Sequence, residues 1–166
     1  MNMRKFIEGN VDLTRLNLTN LIDLSDVEVT GDFFCNNNYL ISLEGVPRSV
    51  NYSFHCEDNN LTSLEGAPQT VGWWFNCSNN NLTSLIGAPE TVGGYFNCED
   101  NNLTSLIGAP ETVGGYFNCM YNNLISLEEI PKTVGGAFYI DKSLKDKFPE
   151  KCIRRLCKII GNVVYA

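Results

Sequence analysis

Histidine is almost missing from this chain of 166 residues: His55 is the only one. A metal site built on several histidines is therefore excluded. Positive charge is scarce in the middle, where residues 31–137 carry only Arg48 and Lys132 against eleven acids. The chain as a whole has a net charge of -7. That balance argues against a generic phosphate-binding surface, because nucleic-acid binders usually carry a basic face. No stretch approaches the ~20 apolar residues of a membrane span. The opening segment, Met1 to Asn10, lacks the apolar run of a secretory signal, so a cytoplasmic location is expected. There is no Cys-x-x-Cys pair, Walker A loop, nucleophile elbow or dinucleotide fingerprint. Without a nucleophile–base pair or an oxyanion device, catalysis is not expected.

What is abundant is cysteine, with seven residues. In a chain without a secretory signal, free thiols, metal ligands or catalytic groups come to mind before disulfides. Position decides among them. Cys35, Cys56, Cys77, Cys98 and Cys119 are spaced 21 residues apart, and one further step reaches Ile140. Two residues before each mark stands Phe33, Phe54, Phe75, Phe96, Phe117 or Phe138. After each cysteine come an Asn column (Asn38, Asn59, Asn80, Asn101, Asn122), two Leu columns (from Leu40 and Leu43), a Pro column (from Pro47) and a Val column (from Val50). A fixed period of this length means stacked units that cover each other's apolar faces. Alternation along a strand sends Phe and Cys to one face. The cysteine column is thus read as core, where cysteine acts as a small hydrophobe. The Asn column is expected to turn inward and satisfy backbone groups of the turn.

The unit Phe-x-Cys-x-x-Asn-x-Leu-x-Ser-Leu resembles the leucine-rich repeat, with Phe and Cys in two leucine slots. It departs at the first leucine slot, which holds Gly31, Tyr52, Trp73, Gly94, Gly115 and Gly136. The wording of the whole unit is similar to repeat proteins of bacteriophages and some bacteria. The resemblance implies an α/β repeat solenoid: a parallel β-sheet of about seven strands on the concave side, a looped or extended convex side, and a C-terminal helical cap. Residues 1–30 are expected to form an N-terminal cap with a degenerate first repeat starting at Val11 and a short helix near Met3 to Glu8. Residues 31–140 hold five repeats and a final strand. Residues 141–166 form the C-terminal cap. There Ile153, Leu156, Cys157 and Ile160 follow helical spacing, predicting a helix over 149–160 that acts as a lid, with a last strand over 162–165.

The outward face of the sheet is the candidate site. Trp74, Tyr95 and Tyr116 make an aromatic row, with Tyr52 and Trp73 at its entry. His55, Asn76, Asn97 and Asn118 form the next column, followed by Glu57, Glu99, Met120 and Tyr121. Trp, Tyr and Met are enriched at interface cores. Aromatics among acids suit a protein partner with basic or mixed basic and apolar groups, including cation–π contact. The competing reading is that such a row only packs neighbouring strands. The acidic pairs Glu57-Asp58 and Glu99-Asp100 offer oxygen ligands for calcium, but no calcium-loop motif is present, and solvated charge or partner contact is the better reading. Charge is segregated: residues 1–30 carry -2, residues 31–137 carry -9 and residues 138–166 carry +4. The favoured function is non-catalytic protein binding, with no cofactor, no metal, no direct nucleic-acid contact and no membrane contact. The phage resemblance implies a host protein as partner and inhibition, for instance of a host defence, as outcome. Two alternatives stand beside it: an acidic DNA mimic, and a structural module that self-associates through its ends.

Overall fold

The computed structural model describes residues 5–166. Over that span the chain winds into a parallel β-solenoid of about eight turns, with two sheets and little helix. Each turn supplies one short strand to each sheet. The first sheet comprises β1 (Lys5–Ile7), β3 (Val27–Val29), β5 (Ser49–Val50), β7 (Thr70–Val71), β9 (Thr91–Val92), β11 (Thr112–Val113), β13 (Thr133–Val134) and β15 (Lys158–Ile159). The second comprises β2 (Val11–Asp12), β4 (Phe33–Phe34), β6 (Phe54–His55), β8 (Phe75–Asn76), β10 (Phe96–Asn97), β12 (Phe117–Asn118), β14 (Phe138–Ile140) and β16 (Val163–Tyr165).

Two sheets of eight strands replace the single sheet of about seven that was expected. The Thr-Val pair, read as part of a looped or extended convex side, is itself a strand. Both its residues are β-branched, which suits a pleated surface. The period then lays Thr on Thr and Val on Val, as in Thr112 beside Thr133 and Val113 beside Val134. The core fills the space between the sheets. Val29 to Val134 point in from one side, the Phe and Cys columns from the other, and the Leu columns from the connecting turns; nearly all are fully buried. Successive Phe rings lie 5.2–5.8 Å apart. At Gly93, Gly114 and Gly135 a side chain would strike the carbonyl of the glycine one turn earlier, so the corner between the sheets admits only glycine.

The buried Asn column ties consecutive turns together. Asn80 Oδ1 accepts the Leu61 N–H at 2.9 Å, while Nδ2 donates to the carbonyls of Cys56, Cys77 and Ser78 at 3.1–3.2 Å. Asn59 and Asn101 repeat the same set. One residue earlier, Asn37, Asp58, Asn79 and Asp100 have φ between 52° and 56°. Asn and Asp tolerate this left-handed backbone better than other side chains. The acids of that column thus have a conformational reason to be there, apart from any ligand.

Both ends depart from expectation. Val11 does begin a first repeat, paired with Phe33 at an offset of 22 residues. The helix expected near Met3 to Glu8 is not found: residues 5–7 form β1, with Ile7 beside Val29, and Met3 lies outside the described residues. At the other end the helix covers only Glu150–Leu156 (α1), shorter than 149–160. Lys158–Ile159 and Val163–Tyr165 join the two sheets, so the segment is an eighth turn and not a lid. It takes 25 residues from Phe138 to Val163. The surplus over 21 is absorbed by a 3-10 turn (Lys142–Leu144) and α1. A seven-residue helix is too short to be stable alone. Ile153, Cys157 and Ile159 are buried by the solenoid, while Leu156 and Ile160 stay exposed.

Candidate binding face

The five ladder cysteines open onto the interior and take no part in a surface site. All are buried free thiols. Each donates to a carbonyl of the next turn, as from Cys77 Sγ to Asn97 O at 3.3 Å and from Cys98 Sγ to Asn118 O at 3.2 Å. Burial pushes these thiols far above their usual pKa. Cys157, at the last turn, is raised to about 11 for the same reason.

The outward face of the second sheet carries a continuous run of six rings. Phe34 stacks on His55 at 4.7 Å, and His55 meets Trp74 edge-on at 5.5 Å. Trp74 meets Tyr95 edge-on at 6.0 Å, Tyr95 stacks on Tyr116 at 4.1 Å, and Tyr116 meets Tyr139 edge-on at 5.7 Å. All six are half-buried. The strand spacing of ~4.8 Å brings neighbouring rings within contact range. A side chain at Gly115 would run into the Tyr95 ring, and one at Gly94 would crowd Trp73, so these glycines are the floor on which the rings lie. Phe34 and Tyr139 were not among the residues expected to form the site; they extend the row because it crosses from one column to the next at each end.

Around this ladder the expected residues divide. Tyr52, Trp73 and Tyr121 are half or more exposed, at 60%, 50% and 56%. Trp73 also touches Tyr95 at 5.6 Å. Tyr121 occupies the left-handed column, with φ 52°, where the four preceding turns place Asn37, Asp58, Asn79 and Asp100 and the first turn places Arg15. A bulky residue there is strained by about 1–2 kcal/mol. Asn76 and Asn118 are buried and spent on their own turns: Asn76 Oδ1 accepts from Ser78 N and Oγ, and Asn118 Oδ1 accepts from Met120 N at 3.1 Å. Asn97 does the same for Glu99 N at 3.2 Å. Glu99 accepts from Asn118 Nδ2 at 2.9 Å, and Met120, in the same column one turn later, is half-buried. His55 Nδ1 lies 3.5 Å from Glu57 Oε2. That oxygen and Trp74 Nε1 are buried without hydrogen-bond partners. Among the described residues no group of three or more His, Cys, Asp or Glu side chains is placed to hold a metal ion, and no helix is long and apolar enough to cross a membrane.

The rings contact one another along the whole run and so stabilise their own sheet, while the most exposed aromatics, Tyr52, Trp73 and Tyr121, lie at its margins. No protein family, no curated protein and no solved structure matches the chain.

Proposed function

We propose that the protein is a non-catalytic binding module that grips a protein partner through the outer face of its second sheet. The observation that carries this is the margin of the ring ladder. Tyr52, Trp73 and Tyr121 hold large aromatic surfaces in solvent, one of them on a strained backbone. Such residues are the ones that anchor interfaces. The surrounding body is acidic, so the partner offers basic together with apolar groups. We read the repeat as a leucine-rich-repeat relative whose return segment has become a sheet of its own, the first sheet. By its resemblance to phage and bacterial repeats, the proposal places the protein in the host cytoplasm, with a host protein as its target and inhibition as its outcome.

The test is retention of a partner on immobilised protein, compared across two double variants. Tyr52→Ala/Trp73→Ala removes exposed rings and leaves the core intact. Thr91→Lys/Thr112→Lys marks the opposite sheet. The partner should be lost with the first and kept with the second. Equal retention by both sinks the proposal. Tyr95 is a poorer probe, because its stack on Tyr116 is worth about 0.5–1.5 kcal/mol of fold stability.

A further inference from the structure

The last turn of a parallel solenoid leaves a sheet edge, and an open edge is a template for another chain. In the interior of the first sheet, three carbonyls per turn accept N–H groups from the turn that follows; the first, as in Lys132 O taking Lys158 N at 2.9 Å, has Cys157 O as its register equivalent in the last turn, and the other two lie beyond it. Val113 O and Gly115 O take Gly135 and Gly136 at 2.8 and 2.7 Å; Val134 O and Gly136 O take Ile160 and Gly161 at 2.9 and 3.1 Å. By register, the equivalent carbonyls of the last turn are those of Ile159 and Gly161. Both are already bonded within the chain. Arg154 Nη1 donates to Ile159 O and Nη2 to Gly161 O, each at 2.9 Å. Glu150 Oε1 accepts from Arg154 Nε at 2.7 Å, which fixes the guanidinium from behind. The planar fork of arginine thus stands where two backbone N–H groups of a further turn would stand.

We infer that Arg154 is a ladder stop, holding shut an edge whose natural occupant is the first turn of a second copy of this chain. Register and charge both identify that occupant. In the first turn Ile7 holds the Val column beside Val29. Stacked on the last turn, it would bring the N–H groups of Glu8 and Gly9 to Ile159 O and Gly161 O, and set Phe6 against Lys158. Residues 138–166 carry +4 and residues 1–30 carry -2, so the two ends attract. The first turn has a weaker guard of its own, since Gly9 N–H donates to Thr30 Oγ1 at 2.9 Å. A head-to-tail contact of this kind does not close, and it propagates into filaments. The first-sheet edge of the last turn is therefore an interaction surface for self, with two of its carbonyls held by one side chain.

The experiment compares the full chain with Arg154→Ala, and with Arg154→Ala/Phe6→Lys, by sedimentation velocity and circular dichroism. The unsubstituted chain should sediment at its monomer mass of 18.5 kDa. Arg154→Ala should form a ladder of multiples of that mass, with its strand spectrum retained and the assemblies reduced by salt. Adding Phe6→Lys sets a like charge against Lys158 and should restore the monomer, because like charges directly opposite repel across a ladder. Phe6 is exposed, so its replacement spares the fold. The inference is overturned if Arg154→Ala remains monomeric, if the unsubstituted chain already forms multiples, or if Arg154→Ala aggregates equally with and without Phe6→Lys while losing its strand spectrum.

Discussion

Raising the pH should unfold this protein through its cysteine column. Cys35, Cys56, Cys77, Cys98 and Cys119 are fully enclosed, and burial raises each thiol well above its ordinary pKa. Unfolding returns them to the usual value of about 8.5. The folded state therefore holds protons that the unfolded state releases, and stability falls as pH climbs past the unfolded value. Below that value the contribution is fully present. At pH 10 each thiol costs roughly 2 kcal/mol, so the column costs about 10 kcal/mol, as large as the whole stability of an ordinary domain. Lysines and tyrosines also titrate in this range, so the sharp form of the prediction is a difference. Urea unfolding under reducing conditions, at pH 7.5 and pH 10, should show Cys98→Ala losing about 2 kcal/mol less between the two pH values than the unsubstituted chain. Cys98→Ala also leaves a small cavity, but that penalty is the same at both pH values and cancels. An identical pH loss in the two chains would refute the reasoning.

Two further predictions test the remaining columns. Asn80→Ala removes four hydrogen bonds from the interior, at roughly 1 kcal/mol each, and should cost about 4 kcal/mol in urea unfolding; Asn81→Ala, at the exposed neighbour, should change it by less than about 0.5 kcal/mol. Gly115→Ala should displace the Tyr95 ring, so that the near-ultraviolet dichroism of the ladder changes while the far-ultraviolet spectrum does not.

Much of this architecture can be read from the period alone. Columns of Phe, Cys, Asn and Leu at fixed offsets leave few arrangements other than stacking, and the inward turn of the Asn column follows from its place after the strand. The first sheet was harder to see, because a strand of two residues such as Thr112–Val113 has no alternation to detect. The eighth turn was hidden by a coincidence of spacing: Ile153, Leu156, Cys157 and Ile160 fit a helix, but the chain leaves the helix after Leu156 to pair Ile159 with Val134. At the candidate face, Trp74, Tyr95 and Tyr116 could be listed as one column. Their junctions with His55 and Tyr139 could not, since those depend on rings reaching diagonally between columns. Asn76 and Asn118 look partner-facing by parity alone, whereas their amides close local turns.

The glycine corner carries a consequence for the geometry of recognition. From Phe33 to Phe138 every turn repeats the last without an inserted residue, and the irregular lengths, 22 and 25 residues, fall only at the ends. The interior is in effect a crystal one cell wide, with a lattice constant of ~4.8 Å. The separations among Tyr52, Trp73, Trp74 and Tyr116 are then set in whole lattice steps by backbone contact at the corner that Tyr52 and Trp73 adjoin. A bulky residue at Gly93 would act as a dislocation there, and would shift the later half of the binding face relative to the earlier half without altering any residue in it.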